Sequence, residues 1–178
     1  MKVLVPLAQD CEEIEAVTVI DILRRAGIDV VSAGLEKGPV KASRGVVLMP
    51  DTDLDAAMQS EYDMVVLPGG AGTRHLLDDD RIISLIKKTA SLGRHVAAIC
   101  AAPTVLAKAG LLAGKRATAY PGTIEKMGVE NTGAPLLQDG VIVTSRGPGT
   151  AMDFALLLVE ILTGRDTRID VEKALVRA

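Results

Sequence analysis

A chain of 178 residues, 48% hydrophobic and 24% charged, has the size of one domain and can bury enough surface to fold without a disulfide or metal staple. One Phe, two Tyr and no Trp leave a core of Val, Ile, Leu, Ala and Met, which favours packed α/β layers over an aromatic-filled barrel. A net charge of −3, no run of Lys or Arg and no paired aromatics to stack bases exclude a nucleic-acid footprint.

The amino-terminal apolar run ends at Gln9 and Asp10, too early for the core of a signal peptide. The longest apolar stretch, residues 96–107, is interrupted by Pro103 and Thr104 and falls short of the roughly 18 residues a membrane span needs. A soluble, cytoplasmic chain is expected, with its two cysteines, Cys11 and Cys100, as free thiols in a reducing compartment. The only histidines are His75 and His95 and no C-x-x-C pair exists, so no metal site is expected.

Residues 3–7 read as a buried strand and 12–26 as a helix of 3.6-residue periodicity closed by Gly27. A second strand spans 30–33, a short one 46–49, and a continuously apolar one 64–67, which stops at Pro68-Gly69-Gly70. Such unbroken apolar runs suit parallel strands covered on both faces. A helix over 81–92 ends at Gly93, a strand over 96–99 follows, and a helix runs from about Ala102 to Gly110. Residues 136–145 place Asp139-Gly140 between two apolar runs, a hairpin signal. A helix over 151–162 closes at Gly164, with a short C-terminal helix after it. No repeat, low-complexity tract or linker divides this order. One α/β domain over 1–178 is predicted, with a mostly parallel sheet between helices and its reactive crevice beyond the carboxyl ends of the strands.

Three features fall at that edge. In Val96-Ala97-Ala98-Ile99-Cys100-Ala101-Ala102-Pro103 a buried strand meets a helix start, and Ala stands two places to either side of Cys100. Small flanking residues permit the tight turn of a nucleophile elbow, and Pro103 suits the first turn of the helix. A thiol at a helix N-terminus is expected to have a lowered pKa. The second feature is Glu15. At about 100° per residue it falls between Ile22 and Ala26, inside the arc of Ala16, Val19, Ile20 and Leu23, so it faces inward. Burial there raises its pKa and makes it a candidate proton donor. Glu13, Asp21, Arg24 and Arg25 read as a solvated face, and Glu12 as a first-turn carboxylate. The third feature is Pro68-Gly69-Gly70-Ala71-Gly72, whose glycines let backbone N–H groups approach an anion or oxyanion.

With these residues in view, the chain resembles the ThiJ/PfpI superfamily, in the branch of the Parkinson-associated protein deglycase and its bacterial relatives. The segments that carry the resemblance are Glu12-Glu13-Ile14-Glu15, Ser43-Arg44-Gly45-Val46-Val47, Val66-Leu67-Pro68-Gly69-Gly70, Ala97-Ala98-Ile99-Cys100-Ala101-Ala102-Pro103 and Thr144-Ser145-Arg146-Gly147-Pro148-Gly149-Thr150. The resemblance implies a flavodoxin-like three-layer sandwich and a homodimer; no cofactor is expected, because carbonyl polarisation and proton movement lie within reach of the site's own groups. It also implies Cys100 as nucleophile, Glu15 as its hydrogen-bonded acid, and Gly69 and Gly70 as backbone donors, with Ala101 at the same oxyanion and substrate site.

Two departures narrow the chemistry. Ala101 stands where the protease-like branch has a histidine after the nucleophile, which removes a Cys-His peptidase arrangement. Tyr120 stands where some relatives carry a histidine, which removes a histidine relay and leaves Tyr120-Pro121 as pocket wall. His95 precedes the strand that ends at Cys100 and belongs to the opposite sheet edge; His75 follows the glycine loop in a capping or solvent-facing place; Cys11 lies near the crevice with no catalytic role. The leading expectation is a cysteine-dependent glyoxalase or deglycase acting on methylglyoxal, glyoxal or early glycation adducts of proteins. The rival is an oxidative-stress sensor or chaperone in which Cys100 is oxidised. A glutamine amidotransferase is set aside because no histidine follows His95.

Overall fold

The computed structural model describes residues 1–177. Its strands in chain order are β1 (Lys2–Leu7), β2 (Asp29–Gly34), β3 (Val40–Lys41), β4 (Val47–Leu48), β5 (Thr52–Asp53), β6 (Met64–Leu67), β7 (His95–Ile99), β8 (Leu136–Asp139) and β9 (Ile142–Ser145). Its α-helices are α1 (Glu13–Arg25), α2 (Leu54–Ala57), α3 (Thr73–Asp78), α4 (Asp80–Ser91), α5 (Pro103–Lys108), α6 (Ala151–Thr163) and α7 (Arg165–Ala174). The main sheet has the order β5-β2-β1-β6-β7-β9-β8 and is parallel except for β8, which pairs antiparallel with β9 through the Asp139-Gly140 hairpin.

The period-2 alternation of side chains along a strand assigns the core to two layers. Val3, Val5 and Leu7 of β1 pack with Val19, Ile22 and Leu23 of α1 and Phe154 and Leu158 of α6 on one face. Leu4, Val65, Leu67, Val96 and Ala98 pack with Ile82 and Ile86 of α4 and Val105 and Leu106 of α5 on the other. This is the three-layer, flavodoxin-like sandwich. All four side chains of β6 are fully buried, as its unbroken apolar run requires. The strand order reverses at β1, which has β2 on one side and β6 on the other. A crevice therefore opens above the carboxyl ends of β1, β6 and β7. No helix among the described residues is long and apolar enough to cross a membrane.

Two readings need correction. The strand expected at 46–49 is not part of the parallel sheet: β4 pairs antiparallel with β3 in a separate hairpin. Only Leu48 packs toward the core, while Val46, Val47 and Met49 stay exposed, so this apolar run is not doubly covered. Glu13 is not on a solvated face. The hairpin turn folds over it, and its Oε1 accepts the Arg44 N–H at 2.8 Å while Oε2 is buried without a partner. Periodicity within α1 carries no information about a hairpin 31 residues on in sequence.

Candidate active site

Cys100 follows β7 directly and adopts φ +64°, a left-handed conformation that costs an ordinary residue on the order of 1–2 kcal/mol. Neighbouring main chain over-determines it. The Cys100 N–H donates to the Ser145 carbonyl at 3.0 Å, the Cys100 carbonyl accepts from the Tyr120 N–H at 2.8 Å, and the Ala102 N–H closes the turn on the Ile99 carbonyl at 3.0 Å. Ala98 and Ala102 are fully buried, so larger side chains would collide with the sheet beneath the elbow. The thiol emerges at the crevice, 8% exposed.

Glu15, on the inward stripe of α1, is 0% exposed. Its Oε2 accepts the Gly69 N–H at 2.7 Å, its carboxyl lies against the Cys100 thiol, and Oε1 is buried without a hydrogen-bond partner. Burial is the main cause that pushes its pKa up to about 7, opposed by the Gly69 N–H and the thiol and reinforced by the nearby charge of Glu12.

The expected lowering of the thiol pKa is overturned. Burial first, then the charge and hydrogen bond of Glu15, push Cys100 up to about 12, although the N–H groups of Gly70 and Ala101 turn to the sulfur and pull the other way. These N–H groups do not offset the hydration that the buried thiol loses. Glu15 and Cys100 titrate as a pair, because removing both protons would set two negative charges side by side. Burial and mutual repulsion raise both groups, so the pair keeps at least one proton well above neutral pH. Negative charge on the sulfur therefore goes with a protonated Glu15.

Gly69 also differs from expectation. Its N–H is taken by Glu15, so it is not a donor toward a developing oxyanion, whereas Gly70 and Ala101 are aimed at the reactive atom. Gly69 instead acts as a spacer. A Cβ there would lie 2.8 Å from Cys100 Cβ and 2.9 Å from Glu15 Oε2. The turn between β1 and α1 clasps this loop: the Glu12 N–H donates to the Gly69 carbonyl at 3.0 Å, the Gly72 N–H to the Asp10 carbonyl at 2.8 Å, and Cys11 forms an isolated bridge with Gly70. Cys11 is itself buried, and burial together with the Glu13 charge pushes its thiol up to about 11.

The histidines lie apart from this pair. His95 opens β7, at the opposite end of the strand from Cys100. His75 is exposed on α3, accepts from Arg74 Nε at 3.3 Å, and lines a cavity of about 510 Å³ with Gln9, Leu35, Glu36 and Arg81 that includes neither Cys100 nor Glu15. Tyr120 and Pro121 do form a wall: with Arg146, Pro148 and Thr150 they line a groove of about 400 Å³ beside the elbow. The main-chain supports from Ser145 and Tyr120 were not visible in the sequence, since a carbonyl and an N–H leave no residue-type signature. Arg146 lies in the Thr144–Thr150 segment, where its residue type alone gives it no role.

The sequence pattern of the DJ-1/PfpI family matches residues 1–161. The chain is 44% identical to protein dj-1beta of Drosophila melanogaster over 98% of its own length and 96% of that protein's. It is 38% identical to the glutathione-independent glyoxalase DJR-1.2 of Caenorhabditis elegans, over 88% of this chain and 85% of that protein. The solved structure of oxidized Toxoplasma gondii DJ-1 superposes with a TM-score of 0.93 at 39% identity, covering 99% of this chain and 98% of that one. A strained cysteine elbow, a buried carboxyl beside it and identity along nearly the whole length lead to one assignment: the chain belongs to the DJ-1/PfpI family.

Proposed function

We propose that the chain is a cysteine-dependent, glutathione-independent glyoxalase that converts methylglyoxal or glyoxal to the 2-hydroxy acid and acts on early glycation adducts through the aldehyde that they release. The observation that carries this reading is the fully buried Glu15 carboxyl held against the Cys100 thiol, with backbone N–H groups turned to the sulfur. The name of the nematode relative supports the same chemistry.

The steps follow from the pair. With the proton on Glu15, the Cys100 thiolate adds to the aldehyde carbon, and the carbonyl oxygen takes the Glu15 proton to give a hemithioacetal. The Glu15 carboxylate then removes the hydrogen on that carbon as a proton and returns it to the neighbouring carbon, while the hemithioacetal hydroxyl proton passes to the ketone oxygen, which leaves a thioester of the 2-hydroxy acid. Water cleaves the thioester and the sulfur departs as thiolate, stabilised by the Gly70 and Ala101 N–H groups. The sum is aldehyde plus water to hydroxy acid, with no net oxidation and no cofactor required.

The test is lactate formation from methylglyoxal without glutathione. Native protein turns over, and Cys100→Ser falls by about a thousand-fold or more. Absence of turnover by the fully reduced native protein on methylglyoxal, glyoxal and a glycated thiol would sink this reading. It would also favour the rival, in which Cys100 is oxidised and protonated Glu15 donates a hydrogen bond to the oxidised sulfur; the oxidized state of the Toxoplasma relative supports that alternative.

The reading includes a homodimer. Ile14 and Val17 on α1 and Val46, Val47 and Met49 on the hairpin are exposed, and Val17 and Met49 line one cleft. Exposed apolar side chains on a helix and a hairpin that share a cleft favour a second copy of the chain. Light scattering is expected to give twice the 18.6 kDa chain mass for the native protein and the single mass for Val17→Glu/Met49→Glu. A native monomer would overturn the dimer.

A further inference from the structure

The groove beside Cys100 is built on the residues that hold the elbow. One wall begins at Tyr120, whose N–H donates to the Cys100 carbonyl at 2.8 Å; the other follows Ser145, whose carbonyl accepts the Cys100 N–H at 3.0 Å. The second wall is braced from within. Thr150 Oγ1 donates to the Gly147 carbonyl at 2.8 Å and accepts the Gly147 N–H at 3.2 Å, and the Ser145 and Thr150 hydroxyls are 2.6 Å apart. The groove is thus pre-formed, which lowers the ordering cost of filling it.

Its volume of about 400 Å³ lies within the roughly 300–1,000 Å³ of pockets that hold whole small ligands, and Cys100 is not among its lining residues, so an aldehyde carbon at Cys100 leaves the groove to the rest of a longer substrate. Its walls combine the Tyr120 ring, Pro121 and Pro148 with one cationic residue, Arg146. Arg24, Arg74, Arg81 and Arg94 each engage a carboxylate. Arg146 is exposed, and its one hydrogen bond among the described residues is from its backbone N–H to the Pro135 carbonyl. A guanidinium presents a planar fork of donors matched to a carboxylate, and apolar walls on either side favour a short hydrocarbon spacer over water.

We propose that this groove is the subsite for the distal part of the substrate, and that Arg146 selects α-oxoaldehydes bearing a terminal carboxylate. The inference rests on the glyoxalase reading above and names its substrate class. The aldehyde carbon sits at Cys100, the chain runs along Tyr120 and Pro148, and the carboxylate meets the Arg146 fork. The same cation disfavours adducts on positively charged side chains.

Two measurements test it. The first is the ratio of kcat/KM for 4,5-dioxopentanoate to that for methylglyoxal, in the native protein, Arg146→Met and Arg146→Lys. The ratio falls by about tenfold in Arg146→Met, through KM for the carboxylated aldehyde, and recovers in part in Arg146→Lys, which restores charge without the fork. A ratio within twofold of native in Arg146→Met overturns the proposal. The second measurement needs no turnover: glutarate protects Cys100 from iodoacetamide in the native protein and fails to do so in Arg146→Met. If the native protein turns over neither aldehyde, the glyoxalase reading falls while glutarate protection still reads the groove, and absence of protection in the native protein overturns the carboxylate subsite itself.

Discussion

At pH 8 the Glu15→Gln variant unfolds at a temperature roughly 10 °C above that of the native protein, and the gap closes as the pH falls below 4.5. Glu15 titrates at about 7 in the folded chain against an ordinary value of 4.5, because burial outweighs the Gly69 N–H and the thiol that favour its charged form. Between those two values the folded state holds a proton that the unfolded state has released. Stability therefore declines as pH rises through this window, and above pH 7 the full cost is present. At 1.36 kcal/mol per pH unit that cost is about 3 kcal/mol, and a chain of this size gains about 2–4 °C for each kcal/mol. Glutamine keeps an acceptor for the Gly69 N–H and removes the buried charge. Thermal unfolding at pH 8 and pH 4 checks the result, and a variant no more stable than native at pH 8 would show that Glu15 is not a strained carboxylate. The same variant separates stability from reactivity. Native Cys100 alkylates with an apparent midpoint near 7, where the pair loses its first proton; in Glu15→Gln that step disappears and a single, more alkaline ionisation replaces it. Gain of stability with loss of the neutral midpoint is the behaviour of a group retained for chemistry.

Gly70→Ala is expected to destabilise the fold by about 3–4 kcal/mol, against about 1–2 kcal/mol for Gly93→Ala. Both glycines adopt left-handed backbone, with φ +88° at Gly70 and +72° at Gly93, so both substitutions carry the penalty of an ordinary residue there. They differ in space. A Cβ at Gly93 meets nothing within 4 Å, whereas one at Gly70 lies 2.5 Å from Glu12 N, 2.8 Å from the Asp10 carbonyl oxygen and 2.9 Å from Cys11 C. These are backbone atoms of the clasping turn, which cannot rotate away as a side-chain end does, and overpacking of that kind adds about 1–3 kcal/mol. Any relief moves the Gly70 N–H from the Cys100 sulfur, so alkylation at pH 7 slows as well. Urea unfolding of the two variants decides it: equal losses would mean that the clasp is loose and that backbone strain alone matters at Gly70.

Much of the layout was legible because it is local. The continuous apolar run of β6, the 3.6-residue stripe of α1 and the Asp139-Gly140 turn each encode a nearest-neighbour preference, and each element lies within two residues of its expected bounds. Glu15 was legible for the same reason, since one helix turn suffices to show a carboxyl on an apolar face. The unforeseen elements have two origins. Helix α2 is one short turn whose only signal is local, the Asp53 carboxylate that caps it by accepting the Ala56 N–H at 2.9 Å, whereas β3 and β4 depend on a partner outside their own window and pair with each other away from the sheet.

The sequence by itself determined the alternation of strands and helices, the elbow at Cys100 and the inward face of Glu15, because periodicity, small residues and turn chemistry act over a few residues. Only the tertiary structure decided the electrostatics. Whether a thiol at a helix start is acidic depends on how much water the neighbouring layers remove and which charge they bring, and here α1 brings Glu15 to the sulfur from 85 residues away along the chain. The roles of the two adjacent glycines were likewise settled by packing: Gly69 gives its N–H to Glu15 and fits between two side chains, while Gly70 turns its own toward Cys100. Pattern records which residue types stand where, and hydrogen-bond direction and dielectric are properties of the assembled chain.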